Sequence, residues 1–354
     1  MATITITREA THPLTKHFTD LGERIAPAPA RLKMAQTFPD QVRDELRRTN
    51  LITTTDPHSR LAGSYGRQVA VKKIKDVDAL IIAADAYYAQ PVEKVLRDLE
   101  RAAASLPAAL GMRGEIDLRK QRRSVRVRFT EDEFDIDLVP VVAFGDVEGL
   151  LKVPDRDWSK WVDTRPLQYG NLVSELHQRG DRNLKKLIRA LKHWREHHGL
   201  DQDKRVKSFW LECLVVNAVI AGRIPLAGRA LADVIADCFD ALHVVCAPAL
   251  KSGGTPMVPD PTIPANNVAW NWERAKFESF MAVLAESRAQ ATTAVTTSDR
   301  DTAIKAWQAV FGAQWFVSDI SKWISTAAVL GTVPVVLPSA PHRFFGASPA
   351  PDEK

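Results

Sequence analysis

Two apolar runs in this chain each open on a pair of acids. Asp76-Val77-Asp78 leads into Ala79-Leu80-Ile81-Ile82, and Asp135-Ile136-Asp137 leads into Leu138-Val139-Pro140-Val141-Val142. Short apolar runs rich in β-branched residues read as buried strands, and residues two apart on a strand share a face. Asp76 and Asp78 therefore aim together, and Asp137 can gather with them on one sheet face. Carboxylates at the starts of buried strands repel each other and are costly to desolvate unless a cation lies between them. The chain is thus constrained to a sheet that carries acids at the mouth of an apolar interior, with positive charge beside them.

Magnesium is a natural cation for such a site, because it takes oxygen ligands and keeps part of its shell for water and phosphate oxygens. Two ions about 3.5–4 Å apart can bind the attacking and leaving oxygens of an in-line displacement. Asp76 and Asp78 are assigned as ligands shared by two Mg²⁺ ions, with Mn²⁺ as an alternative metal. Asp137 completes the shell of the catalytic ion and helps to deprotonate an incoming hydroxyl. Asp135 has the same strand parity but lies two residues further from the apolar run, and reads as a rim acid. Upstream, Leu61-Ala62-Gly63-Ser64-Tyr65-Gly66-Arg67 has the glycines that let a backbone approach phosphate, and a following helix start would point N–H groups at it. Ser64 adds a hydroxyl, and Arg67, Lys72, Lys73 and Lys75 are available as counter-charge.

Taken together, Gly63-Ser64, Asp76-x-Asp78 and Asp137 before Leu138-Val139-Pro140 resemble the DNA-polymerase-beta-type nucleotidyltransferases. Within them the chain is most similar to the branch holding oligoadenylate synthetase, cyclic GMP-AMP synthase and bacterial cyclic-oligonucleotide synthetases. Later stretches extend the resemblance from about Leu61 to Phe316: Asp163-Thr164-Arg165-Pro166, Leu187 to Trp194, Lys207-Ser208-Phe209-Trp210-Leu211-Glu212, Val258-Pro259-Asp260-Pro261 and Trp307 to Gly312. The resemblance implies that Lys192 and Ser208 contact the triphosphate, that Phe209 stacks on a base, and that Gly63, Ser64 and Arg67 serve nucleotide binding. It implies nucleoside triphosphates as substrates (ATP, GTP or pyrimidine NTPs), pyrophosphate as leaving group, and a cyclic di- or trinucleotide that switches on an effector in anti-phage defence. A nucleic-acid activator is a further partner that such relatives use. Val69 stands where many relatives carry threonine, and nothing matches the Cys/His zinc insertion of the animal DNA sensor. Archaeal tRNA CCA-adding enzymes share the turn and the three acids, so nucleotide addition to an RNA 3′ end is the alternative activity. An inactive scaffold would be expected to have lost one of the carboxylates, and all three stand.

The resemblance implies an α+β protein: a polymerase-beta-like mixed sheet with helices over residues 1–162, a helical lobe over 163–330, and the site in the cleft between them. Residues 331–354, proline-rich and aperiodic, read as a mobile tail. A helix is expected from Pro39 to Arg47, with the proline in its first turn, and another from Gln90-Pro91 through Leu106. Leu184, Leu187, Ile188 and Leu191 form an inward stripe, while Pro248 to Asn267, rich in proline and glycine, reads as a loop. With 45% apolar residues the 354-residue chain can bury real cores. No run approaches the roughly 20 apolar residues of a membrane span, and no signal peptide is evident. Three single cysteines suit a reducing, cytoplasmic compartment. Cys238, His243 and Cys246 lie in apolar surroundings and read as helix interior rather than a zinc site. The formal charge of +5 fits a phosphate-bearing partner. The densest basic stretch, Arg119 to Phe129, alternates at its end, so Arg126 and Arg128 are expected on a solvated strand face, or on a surface for RNA, DNA or growing product.

Overall fold

The computed structural model describes residues 9–72, 76–117, 121–130 and 134–317. Helices α1 (Thr15–Ile25) and α2 (Pro29–Thr49) lead into an alternating segment. It comprises β1 (Thr54–Leu61), the one-turn helix α3 (Gly63–Gly66), β2 (Asp76–Ala83), α4 (Val92–Ala103) and α5 (Leu106–Ala109). Strands β3 (Gly114–Ile116), β4 (Val125–Phe129), β5 (Phe134–Val142), β6 (Leu151–Asp155) and β7 (Lys160–Thr164) follow. Beyond Thr164 the chain is mainly helical: α6 (Pro166–Arg179), α7 (Asn183–His197), α8 (Ser208–Ile220) and α9 (Leu231–Lys251). A small hairpin, β8 (Pro259–Asp260) and β9 (Ile263–Asn267), precedes α10 (Arg274–Thr296) and α11 (Arg300–Phe311).

The sheet runs β1-β2-β5-β4-β3, with β6 pairing β5 and β7. β2 and β5 are parallel, and the crossover between them carries α4 and α5 onto one face. The two-residue period of a strand then divides the side chains. Val77, Ala79, Ile81, Ile136 and Leu138 pack beneath α2, α4 and α5. Leu80, Ile82, Val139 and Val141 turn to the opposite face, where they meet Leu151, Val153 and Leu167. Asp76, Asp78, Asp135 and Asp137 share that second face by parity. The expected mixed sheet with helices and a helical C-terminal region is what the chain forms.

The helical region has its own core, centred on Trp194, Phe239, Phe277, Phe280 and Trp307. The expected stripe of Leu184, Leu187, Ile188 and Leu191 is wholly inside it. Helix α1 contributes Phe18, Leu21 and Ile25 to this core, whereas α2 contributes Val42 and Leu46 to the sheet. Cys238 and Cys246 are buried on α9 with Cys238 and Cys246 thiols pushed up by burial.

Three local expectations need correction. Pro39 does not start a helix; α2 begins at Pro29, in its first turn, and runs through Pro39. The N–H that Pro39 lacks would have met the Ala35 carbonyl; the helix continues because Ala35 before the proline and Val42 and Leu46 after it are packed into the core, and Ser59 Oγ donates to the Pro39 carbonyl at 3.0 Å. The helix after Pro91 ends at Ala103, with a separate turn from Leu106. Pro248 likewise lies inside α9, and the segment to Asn267 includes the β8–β9 hairpin instead of being all loop. Pro248 is tolerated near the helix end because Val244, whose carbonyl loses its partner, is exposed to water. The expected tail, 331–354, and Lys73, Lys75, Arg119 and Lys120 lie outside the described residues.

Candidate active site

The parallel register sets Asp76 opposite Asp135 and Asp78 opposite Asp137. β1 delivers the phosphate-type turn to the same place: the Ala62 N–H donates to the Asp78 carbonyl at 2.8 Å. Gly63 then turns with φ +63°, and a Cβ built there would lie 1.7 Å from Asp78 Oδ2. Glycine is required twice, once by the left-handed backbone and once by the carboxylate lying against it. Ser64 follows in the first turn of α3, and Arg67 closes that turn.

One cavity of about 540 Å³ collects Gly63, Ser64, Arg67, Asp76, Asp78, Lys192, Ser208 and Phe209. These come from β2, α3, α7 and α8, elements of both the sheet and the helical region. Ser208 is the first helical residue of α8, after Lys207, and no side chain caps that helix end. Phe209 is 38% exposed, with Tyr169 edge-on at 5.6 Å. Lys72, offered as counter-charge, is exposed and does not line this cavity.

At the floor of the cavity lies a buried ionic cluster centred on Glu212 of α8, a residue not among the expected site residues. Arg67 donates from Nε and Nη2 to its two oxygens at 2.6 and 3.3 Å. Lys192 Nζ is 3.2 Å from Oε2 and donates to the Val69 carbonyl at 3.1 Å. Burial opposes ionisation of Glu212, yet Lys192 and Arg67 bring its carboxyl down to about 2. Burial pushes the Lys192 ammonium the other way, below its ordinary range. Two cations thus share one carboxylate, and a positive charge is left over at the floor of the cavity. Arg67 and Lys192 are structural partners of Glu212 as they stand, rather than free arms. The signal for Glu212 was its i, i+4 spacing from Ser208, which places both on one face of α8.

Arg126 is a residue that strand alternation misplaces. It does not sit on a solvated face. Its register partner across the antiparallel β4–β5 pair is Asp137, and it donates to both Asp137 oxygens, at 2.8 and 2.6 Å. The same guanidinium lies 3.8 Å from Asp76 and 3.6 Å from Asp135. Arg128 is drawn to Asp117 at 2.6 Å, with Asp135 at 3.9 Å. The cation that the acids demand is therefore supplied in part by the chain itself.

Does this donor set suit a divalent ion? Burial, with Asp76 and Asp137 nearby, pushes the Asp78 carboxyl up to about 7, the behaviour of an acid short of positive charge. The donors are hard oxygens in adjacent strand positions, which suits magnesium or manganese. Among the described residues no three such side chains are arranged to hold an ion as they stand, and Arg126 donates to both Asp137 oxygens. Asp76 and Asp78 fit the ion directly, and Asp137 fits once Arg126 yields one oxygen. Proton and metal then compete for Asp78. Mn²⁺ affinity of the nucleotide-free protein is expected to rise about tenfold from pH 6 to pH 8, as calorimetric titration would show. A flat profile would mean that Asp78 is not a ligand.

Residues 13–176 match the family described as the Second Messenger Oligonucleotide or Dinucleotide Synthetase domain. The chain is 27% identical over 307 residues to the "Cyclic AMP-AMP-AMP synthase" of Acinetobacter sp., covering 84% of each protein. In three dimensions it resembles the CD-NTase CdnG of Bradyrhizobium diazoefficiens, solved with GTP, at TM-score 0.68 and 15% identity, over 89% of this chain and 99% of that one. The cyclic AMP-GMP synthase DncV of Vibrio cholerae, solved with a linear intermediate, gives 0.61 and 13%, over 87% and 98%. The two solved structures agree in fold, and the matched domain holds the turn and all three acids. The stretch that carries the turn and all three acids is thus similar to the second-messenger oligonucleotide synthetases, and by that likeness the chain is a nucleotidyltransferase.

Proposed function

We propose that the protein joins nucleoside triphosphates into a cyclic di- or trinucleotide signal, with release of pyrophosphate at each bond formed. The observation that carries this reading is the convergence on one cavity of the Gly63-Ser64 turn, Asp76, Asp78, Ser208 and Phe209. Ser64, Ser208 and the excess positive charge of the Arg67–Glu212–Lys192 cluster hold the triphosphate, and Phe209 stacks on its base. Asp137 accepts the proton of the attacking ribose hydroxyl after parting from one arm of Arg126. Asp76, Asp78 and Asp137 would hold magnesium, which when bound would supply charge neutralisation and Lewis acidity at the reacting phosphate. The name of the Acinetobacter relative makes ATP the first substrate to test. A role in anti-phage signalling, in which the product switches on an effector, extends this reading, and the match to a second-messenger synthetase domain supports it. Among the described residues no helix is long and apolar enough to cross a membrane.

The test is incubation of the protein with Mg²⁺ and all four labelled triphosphates, followed by phosphatase treatment and mass analysis. A phosphatase-resistant cyclic product is expected, and its mass names the bases and ring size. Elongation of added tRNA without a cyclic product would replace this reading by 3′-end addition.

A further inference from the structure

Next to the catalytic cavity runs a second, larger groove of about 990 Å³. The two share Arg123, Ser124, Thr164 and Phe209, so they are continuous. Its walls come from the basic run, from the β6–β7 hairpin and from the segment after β9. Five basic side chains line it against two acidic ones, Asp163 and Asp260. Asp163 is ion-paired to Lys152 and Asp260 accepts from the Thr262 and Ile263 N–H groups, so with both acids counted the lining still carries more positive than negative charge.

Two half-exposed indoles stand in this groove. Trp158 is 42% exposed and Trp270 is 50% exposed, with ring centroids 5.4 Å apart. The Arg122 guanidinium lies 4.4 Å from the Trp158 ring centre and 5.4 Å from that of Trp270. Lys160 lies 5.1 Å from the Trp158 ring. The arrangement is held from below by Asp155, which is fully buried. Asp155 accepts from Arg122 Nε at 2.8 Å, Arg123 Nε at 2.7 Å and the backbone N–H of Trp158 at 3.2 Å. One carboxylate thus positions both arginines and the hairpin turn that bears Trp158. Arg122 Nη2 is buried and has no hydrogen-bond partner among the described residues. Leaving two indoles in water is unfavourable, while flat rings beside guanidinium and ammonium groups are how proteins stack nucleobases and follow a phosphate backbone.

We propose that this groove holds the growing linear oligonucleotide, one base stacked on the Trp158–Arg122–Trp270 platform while the reacting end stays in the catalytic cavity. The proposal rests on the reading of the protein as an oligonucleotide-joining enzyme. It assigns the Arg122-Arg123 end of the basic run to product and the Arg126 end to the catalytic acids. The phosphate nearest the platform meets Arg123 and Lys160.

The test uses the full chain made inactive by Asp76→Ala/Asp78→Ala, so that bound nucleotide is not consumed. Linear 5′-phosphorylated triadenylate and ATP are titrated separately by calorimetry, before and after adding Trp158→Ala/Trp270→Ala. Triadenylate affinity is expected to fall about tenfold or more, as loss of a base-stacking platform implies, with ATP affinity changed less than about twofold. Trp158→Phe/Trp270→Phe, which keeps flat rings, is expected to restore most of the loss and guards against a folding defect in the alanine variant. Equal triadenylate binding in wild-type and alanine forms overturns the proposal. So does an equal fall for ATP, which would make the indoles part of the triphosphate site, or an indole-dependent affinity confined to long RNA. Failure of the intact protein to release pyrophosphate would defeat the enzymatic reading separately, since the binding comparison does not depend on turnover.

Discussion

Asp78→Asn is expected to lower pyrophosphate release about a thousandfold, several kcal/mol of transition-state stabilisation in a metal-assisted transfer. The substitution keeps the shape of the side chain, so the close approach of Gly63 survives. Only the charge is lost. The effect on stability has the opposite sign. The Asp78 carboxyl in the fold titrates at about 7, well above its ordinary 3.8, so the folded protein binds this proton more tightly than the unfolded chain does. Ionisation therefore costs stability as pH rises from about 4 to 7, and the cost is complete above 7. At pH 8 in chelator, Asp78→Asn is expected to melt higher than wild type while being inactive. Paired assays of pyrophosphate release and thermal denaturation check both halves. An inactive variant that also melts lower would point to a structural role for Asp78.

Glu212→Leu is expected to cost about 3–5 kcal/mol of folding stability, because it strands Arg67 and Lys192 in the interior. Adding Arg67→Leu and Lys192→Met should recover most of that loss, since an apolar replacement of a whole buried ion cluster is often neutral. The recovered protein is still expected to be inactive, because the positive charge under the cavity is gone. Urea unfolding of the three forms separates the effects. The pH dependence has a definite sign as well. The Glu212 carboxyl is held at about 2 against an ordinary 4.5, so its contribution is present above pH 4.5 and fades as pH falls toward 2. Wild type should lose this contribution through that window, and Glu212→Leu should show no matching loss.

Much of the site was legible because strand parity is local. Asp76 and Asp78 must share a face whatever surrounds them, and an acid opening each apolar run cannot be buried without compensation. The helix stripe on α7 was readable for the same reason, a fixed period of 3.6 residues. Boundaries failed where tertiary packing overrode a local preference. Pro39 and Pro248 read as helix limits from their missing N–H, yet both lie within helices. Arg126 was misplaced because alternation tells which side a residue takes but not what stands there. Only the β4–β5 register brings it onto Asp137.

By itself, then, the sequence determined the candidate groups: three carboxylates, a glycine-serine turn and an excess of basic residues, all properties of residue type and short-range spacing. The tertiary structure alone decided how charge is distributed among them. Arg67, Lys192 and Glu212 are brought from α3, α7 and α8 into one buried cluster, and Trp158 and Trp270 meet across more than a hundred residues of chain. Electrostatic and stacking energies depend on separation and burial, and neither is encoded in the distance between residues along the chain.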